Sequence, residues 1–273
     1  MRASGFPARR LIAPALFALL VAGCADIGRM GSTQVSLPEP PKTSDVAPPA
    51  QREHARILAA YGGAYENPRL EALLAQTVDK LVAASERPNL KYKATILNSP
   101  AINAFALPNG QLYVTRGLLA LANDTSELSS VLSHEMAHVI ARHAAIREDQ
   151  VRQAALVSRV ASDVFNDPQM GAMALARSKI ALATFSRAQE LEADGVGVGI
   201  SQRAGFDPYG AVRFLTAMGR NAELRQTNNN GVDPRFLDFL SSHPATPDRL
   251  KIARANARQY LSLIHISEPT RRS

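Results

Sequence analysis

Cysteine is almost absent from this chain, because Cys24 is the only one in 273 residues. A disulfide within the chain is therefore excluded. After the first 23 residues there is also no apolar run long enough to span a membrane. No internal repeat interrupts the sequence, and 46% of it is apolar. These features predict one globular domain with a sizeable core.

The first 23 residues have the layout of a secretory signal. Arg2, Arg9 and Arg10 precede the apolar run Leu11–Ala22, which is too short to span a membrane stably. The run ends in Val21-Ala22-Gly23-Cys24, which resembles the bacterial lipobox. We therefore predict a signal peptide over residues 1–23.

The lipobox resemblance implies a lipid anchor at Cys24, which becomes the first residue of the mature chain. A lone thiol in a secreted protein would otherwise be open to oxidation. The alternative is an ordinary secretory signal beside a chance cysteine. Ala25, rather than an aspartate, follows the cysteine, and by resemblance to the bacterial sorting rule this favours the outer membrane. The predicted location is the periplasm, with the protein anchored to the outer membrane as a lipoprotein.

Three further segments are distinguished by composition. Residues 24–52 are rich in proline and glycine and form a predicted tether. Residues 53–260 form the predicted domain. Residues 261–273 begin with Leu261–Arg271, which resembles a translated sequencing adapter, so the natural chain is expected to continue differently after Tyr260.

The positive charge of the chain lies largely at its two ends. The formal net charge is +7, and it falls to +3 once the signal and the C-terminal segment are removed. A large excess of basic residues is the usual reason to expect nucleic-acid binding, and the predicted domain has no such excess. We predict no nucleic-acid partner.

Hydrophobic periodicity predicts a mainly helical domain with a small sheet. Asn109-Gly110 lies between two apolar segments and indicates a hairpin over Ala104–Thr115. A strand is predicted over Lys91–Leu97. Helices are predicted from Arg52, after Pro68, and over Ser126–Glu148, Val151–Phe165, Met170–Ile200 and Pro208–Arg220, with a last one from Pro247.

The chemistry of the sequence is concentrated in Val131–Ala144, which reads VLSHEMAHVIARHA. On a helix, His134 and His138 lie one turn apart on the same face, so both imidazoles can bind one metal ion. Glu135 is rotated by about 100° from His134 and is placed to take a proton from a metal-bound water. Zinc accepts imidazole and carboxylate ligands and leaves a position open for water or substrate. Metal binding without catalysis remains the alternative.

A third ligand is needed, and it does not follow soon after His138. The extended pattern with a glycine and a third histidine is absent, since Ala141 and Ala144 stand there. On a continuous helix His143 lies about 180° from His134, so we interpret it as a surface or packing residue. The third ligand is therefore expected from another helix.

The segment Phe185–Val198 supplies carboxylates for this role. Glu190 and Asp194 are four residues apart and share a helix face, so one can bind the metal while the other accepts a hydrogen bond from a ligating imidazole. Glu192 points about 200° away from Glu190 and is expected to be solvated. A plain charged helix face is the alternative.

Three segments together resemble a known family: SHEMAHVIARH, SRAQELEAD, and SHPATPDRL at Ser242–Leu250. They are similar to the zinc metallopeptidases that include the CAAX prenyl protease, the heat-shock protease HtpX and the periplasmic beta-barrel assembly-enhancing protease BepA, in particular the soluble periplasmic lipoprotein branch. The resemblance runs from about Glu53 to Tyr260. It implies a gluzincin-type domain, mainly α with a small sheet lining the cleft, and one Zn²⁺. It also implies Glu190 as third metal ligand and Asp194 as its supporting carboxylate.

Two further roles are implied by the same resemblance. The segment Asn103–Val114 matches a family hairpin that offers an edge strand to extended peptides, so Asn103, Ala104 and Phe105 are predicted substrate-binding residues. His243 matches a family histidine that acts as a latch on the metal or as a catalytic donor to the transition state. Arg249 either holds that loop or binds substrate.

The predicted function is a zinc endopeptidase that hydrolyses misfolded or misassembled cell-envelope proteins, with Glu135 as base. Extended or unfolded polypeptides are the expected substrates. The alternative is a latched, chaperone-like factor of outer-membrane assembly with little proteolysis, and the outer-membrane assembly machinery is a predicted partner in either case. The position of His243 relative to the metal distinguishes the two.

Overall fold

The computed structural model describes residues 48–181, 184–227, 239–244 and 247–267. The predicted signal peptide, Cys24 and residues 25–47 of the tether lie outside them, as do residues 268–273. Within these ranges the chain forms ten helices and three strands. They are, in order, α1 Pro49–Ala60, α2 Pro68–Ala84, β1 Lys93–Leu97, β2 Ala104–Ala106, β3 Gln111–Thr115, α3 Arg116–Leu121, α4 Thr125–Ile140, α5 His143–Phe165, α6 Pro168–Ala181, α7 Arg187–Arg203, α8 Gly210–Thr227, α9 Phe239–Ser242 and α10 Pro247–Ser267.

The predicted fold class is confirmed, since the described chain is mainly helical with one small sheet. Two helices cross predicted segment boundaries, and the boundaries themselves stay predictions. Helix α1 begins at Pro49, inside the predicted tether, because proline is well tolerated in the first helical turn. Helix α10 continues through residues 261–267, which were excluded from the predicted domain.

The sheet has the order β1-β3-β2, with β1 parallel and β2 antiparallel to β3. The predicted hairpin is therefore confirmed, but its turn is longer than the two-residue type. The carbonyl of Leu107 accepts a hydrogen bond from the N–H of Gly110, whose φ is +85°. A Cβ at Gly110 would lie 2.1 Å from the carbonyl oxygen of Lys91, so this position requires glycine.

Two helices that the periodicity predicted as continuous are broken. Helix α4 ends at Ile140, and Arg142 adopts a left-handed conformation with φ +57° before α5 starts. The predicted helix over Ser126–Glu148 is therefore wrong after Ile140. The predicted helix over Met170–Ile200 is also wrong, because α6 ends at Ala181 and α7 begins at Arg187. In the second case the signal was present: Ser186 and Gln189 form a capping box.

Helix α4 lies at the centre of the fold and packs against α2, α7, α8 and β2. The hydroxyls of Ser129 and Ser201 lie 2.8 Å apart across the α4–α7 contact. Apolar side chains from α2, β3, α3, α7 and α8 pack with those of α4 to form the core, among them Leu74, Leu81, Leu112, Val114, Leu118, Leu132, Met136, Ile200 and Phe214. This packing fixes the position of the helix that carries His134 and His138.

Helices α5 and α6 pack chiefly against each other. Several large apolar side chains of α5 are exposed, namely Leu156, Val157, Val160 and Val164. Among the described residues, no helix has the length and hydropathy that crossing a membrane would require.

Helix α7 approaches α4 closely at Gly197. Substituting this glycine tests the packing of the two helices. A Cβ on Gly197 would lie 2.9 Å from the backbone nitrogen of His134. We expect Gly197→Ala to lower the free energy of unfolding by about 1–3 kcal/mol, because α4 must shift to accommodate the methyl group. Urea denaturation of the full chain measures this change.

The control lies two residues earlier on the same helix. Within the described chain no atom lies within 4 Å of a Cβ built on Gly195. Gly195→Ala should therefore stabilise the protein by about 0.5–1 kcal/mol, since alanine favours the helix. Equal effects of the two substitutions would contradict the packing described here.

Candidate metal centre

Helix α4 presents two imidazoles to the interior. Asp124 caps the helix by accepting a hydrogen bond from the N–H of Glu127, and most of the helix is buried. Because His134 and His138 are one turn apart, their Nε2 atoms lie 3.1 Å from each other. This distance between two facing ring nitrogens is the one expected when both bind the same cation.

Helix α7 brings Glu190 to the same place. The capping box of Ser186 and Gln189 starts this helix, and Glu190 lies in its first turn. The carboxylate atom Oε1 lies 3.5 Å from Nε2 of His138, and Oε2 lies 3.6 Å from Nε2 of His134. Glu190 therefore supplies the carboxylate that was expected from another helix.

His243, just after α9, completes the group. The N–H of Phe239 donates to the carbonyl of Ile102, and the N–H of His243 donates to the carbonyl of Phe239, so the backbone anchors the short helix. Nδ1 of His243 lies 2.8 Å from Oε1 of Glu190 and 3.3 Å from Nε2 of His134. His243 is 2% exposed and lies among the metal-binding donors.

The four side chains fit a metal ion. One nitrogen or oxygen atom from each of His134, His138, Glu190 and His243 lies within 4.8 Å of the others, and all four residues are buried. Tetrahedral coordination at about 2.0–2.1 Å places neighbouring donors roughly 3.3 Å apart, which is close to the distances found here. Imidazole and carboxylate are also the donors expected of such a site.

Burial and neighbouring charges set the protonation of the two helix histidines. Burial lowers the pKa of His138 to about 3, despite its hydrogen bond with Glu190. Burial also disfavours protonated His134, but its contact with Asp194 outweighs that effect and raises the pKa above the ordinary value. Burial raises the pKa of Glu190, but hydrogen bonds from His138 and His243 outweigh this and lower it. A carboxylate beside a neutral imidazole is the state that binds a cation.

Glu135 is buried beside the donor group without belonging to it. Its Oε1 atom makes no hydrogen bond within the described residues and lies 3.6 Å from Nε2 of His243. Burial raises the pKa of Glu135 above its usual value. The role of Glu135 as a base stays a prediction.

Asp194 supports His134 from behind. Its Oδ1 atom lies 3.0 Å from Nδ1 of His134, on the side of the ring that faces away from the donor group. Burial raises the pKa of Asp194, but two hydrogen bonds from Arg249 more than compensate and lower it to about 2. Asp194 is therefore a carboxylate beside the ring nitrogen of His134 that faces away from the donor group.

Arg249 is the buried cation that joins these groups. Besides binding both oxygens of Asp194, its Nη1 atom lies 2.7 Å from Oε2 of Glu190. The same guanidinium donates to the carbonyls of His243 and Pro244. Of the two roles predicted for Arg249, the structure places it in contact with the loop of His243.

His143 differs from the sequence expectation in position. Because α4 ends at Ile140, the angle calculated for a continuous helix is wrong, and His143 contacts the ring of His138. It is buried, so it packs in the interior rather than on the surface. Glu192 has an exposed side chain, as predicted, and its Oε2 atom lies 3.3 Å from Nε2 of His143.

Phe185 is a neighbour of the site that the motifs did not indicate. Its ring stacks on His138 with a centroid distance of 4.0 Å, and the guanidinium of Arg147 lies over the ring, 4.4 Å from its centroid. The ring of Phe239 stacks on His243. Both aromatic residues lie next to helix starts, where periodicity carries little information.

Of the predicted substrate-binding residues, Ala104 and Phe105 lie on the edge strand β2, and Asn103 immediately precedes it. Between β2 and β3, hydrogen-bonded residue pairs alternate with pairs that are not hydrogen-bonded. The N–H of Thr115 donates to the carbonyl of Asn103, and the N–H of Leu107 donates to the carbonyl of Gln111. The backbone groups of Ala104 and Ala106 therefore point away from β3, and β2 packs beside α4. Asn103 and Ala104 are buried, and the ring of Phe105 stacks on Tyr113.

The helical fold, the paired histidines and glutamate of α4, and the carboxylate from α7 define a metallopeptidase. A model of Peptidase family M48 matches residues 68–257, and the chain belongs to this family. The buried group of three histidines and Glu190 has a geometry that fits a metal site.

Three relatives illustrate the similarity. Over 194 residues the chain is 31% identical to the beta-barrel assembly-enhancing protease of Escherichia coli strain K12, covering 68% of this chain and 38% of that protein. It is 29% identical over 207 residues to the mitochondrial metalloendopeptidase OMA1 of Schizosaccharomyces pombe, covering 74% and 58%. It is 32% identical over 193 residues to OMA1 of Saccharomyces cerevisiae, covering 68% and 53%. The chain thus spans well under two thirds of each of these relatives, whose names imply polypeptide substrates.

Proposed function

We propose that this protein is a zinc endopeptidase in which His134, His138 and Glu190 hold the metal and Glu135 is the catalytic base. The observation that carries the proposal is the buried group of donors beside Glu135, whose Oε1 accepts no hydrogen bond from the described residues. Among divalent metals, zinc suits two imidazoles and a carboxylate in a tetrahedral arrangement.

The side chains have distinct tasks in this proposal. When bound, zinc supplies Lewis acidity, which polarises the scissile carbonyl and makes a water molecule a better nucleophile. Glu135 takes the proton from the attacking water and passes it to the departing amine. Burial raises the pKa of Glu135 and so makes it a stronger base. Asp194 orients His134 through Nδ1.

An extended polypeptide is the proposed substrate, bound along the outer edge of β2. The backbone groups of Ala104 and Ala106 point to that edge, and added-strand pairing reads backbone rather than side chains. Asn103 and Phe105 hold the strand against β3. Sequence-tolerant binding suits misfolded or misassembled cell-envelope proteins, and one relative is named a beta-barrel assembly-enhancing protease.

A latched, chaperone-like factor of outer-membrane assembly is the second candidate. Nδ1 of His243 is within 3.3 Å of two groups proposed to hold the metal. In that position the imidazole competes with water and substrate for the fourth coordination site. Arg249 in turn holds the loop of His243. If this imidazole stays beside the metal ligands, the resting protein would bind polypeptide but rarely cleave it.

Replacing the proposed base tests the function directly. Glu135→Gln should lower cleavage of unfolded casein by about 10²–10⁴-fold, because the amide cannot accept the proton. Zinc content should stay at the parental value, since Glu135 is outside the donor group. Both are measured on the full chain.

Glu148→Gln, an exposed change on α5, is the matched control and should leave cleavage unchanged. A parent that holds no zinc would contradict the metal site. Zinc-loaded parent and Glu135→Gln proteins with equal activity would contradict the role of the base.

The role of His243 is tested by its removal. We expect His243→Ala to raise casein cleavage, because the fourth site becomes accessible. An increase of about ten-fold corresponds to a resting population that is roughly nine-tenths closed. A loss of cleavage with zinc retained would instead support His243 as the donor to the transition state.

The proposed location is the periplasm, with the chain held at the outer membrane by a lipid on Cys24. Cys24→Ser should release the protein into the soluble periplasmic fraction without changing its zinc content, because Cys24 carries the lipid and is not one of the proposed metal ligands. Cell fractionation with quantitative blotting measures the distribution. Unchanged membrane association would refute the lipid anchor.

A further inference from the structure

The hydrogen bonds around His138 extend beyond the donor group to another imidazole. Nε2 of His138 faces His134 and Glu190, while its other ring nitrogen, Nδ1, lies 2.8 Å from Nδ1 of His143. Nε2 of His143 lies 3.3 Å from Oε2 of Glu192. A series of hydrogen bonds therefore runs from the metal centre through two rings to a carboxylate at the surface.

Metal binding by Nε2 of His138, taken with these distances, assigns a proton to one nitrogen of each ring. Nε2 of His138 must be free of hydrogen to bind a cation, so neutral His138 carries its proton on Nδ1. That proton is donated to Nδ1 of His143, which must then be an acceptor. Neutral His143 consequently carries its own proton on Nε2 and donates it to Glu192. Each group fixes the tautomer of the one before it.

We propose that His143 is a positioning residue for His138: it accepts the Nδ1 proton and so fixes both the tautomer and the orientation of a metal-ligating ring. This inference rests on the metal site proposed above. The arrangement parallels the other side of the site, where Asp194 faces Nδ1 of His134. Partners of this kind typically raise metal affinity by orienting the ligand.

The backbone between the two helices supports this role. Arg142 has φ +57°, a conformation that costs energy for a residue with a side chain. This turn ends α4 and starts α5 at His143, which brings its ring over His138. A packing role alone requires only apolar volume, whereas His143 is 1% exposed and both of its nitrogens have polar neighbours.

Two substitutions separate hydrogen bonding from packing. His143→Phe retains the ring volume but removes the acceptor. His143→Asn loses volume but places its amide oxygen where Nδ1 was, because both atoms are attached to Cγ. Zinc affinity of the full-length variants is measured by competition with a chromophoric chelator, and thermal unfolding without zinc reports the packing.

We expect His143→Phe to weaken zinc binding by about 10–100-fold, and His143→Asn to stay within about three-fold of the parent. A packing role predicts the reverse order, with Asn the more damaging change. Parental zinc affinity in His143→Phe, or equal losses in both variants, would overturn the inference while leaving the proposed function intact. A parent that binds no zinc would overturn the proposed function and this inference together.

Discussion

The buried ion group of Arg249, Asp194 and Glu190 is the interaction on which the rest of the site depends. Two carboxylates on one face of α7 lie in the interior, where an uncompensated charge is very costly. The guanidinium of Arg249 compensates both, and its planar fork binds the two oxygens of Asp194 at 2.8 Å each. Because Arg249 belongs to α10, the last described helix is tied to the metal centre.

The same cation links the ligands to the loop that covers them. Arg249 donates to the carbonyls of His243 and Pro244. The cation that compensates the carboxylates of α7 therefore also holds the loop of His243 in place. Phe185 and Phe239 enclose the imidazoles with apolar surface. The site is buried, so electrostatic interactions within it are strong.

Much of the site was predictable because its residues recur at short spacings along the sequence. His134, Glu135 and His138 need only a helix to acquire their relative positions, and Glu190 and Asp194 need only another. Other parts depended on interactions that no local pattern contains. Arg142 breaks α4 without a glycine or a proline to indicate a turn, so the position calculated for His143 was wrong. The break at α7 was missed although its capping box was visible in the sequence.

The sequence by itself determined the class of the fold through hydrophobic periodicity. It also placed His134 with His138, and Glu190 with Asp194, on common helix faces, because i, i+4 spacing is a local property of the backbone. Only the tertiary structure decided how closely His243 approaches the other donors, that Arg249 compensates the buried carboxylates, and that His143 contacts His138. Those contacts join residues up to 109 positions apart. Their geometry is set by how α4, α7 and α10 pack, because such distances depend on the whole core rather than on any segment.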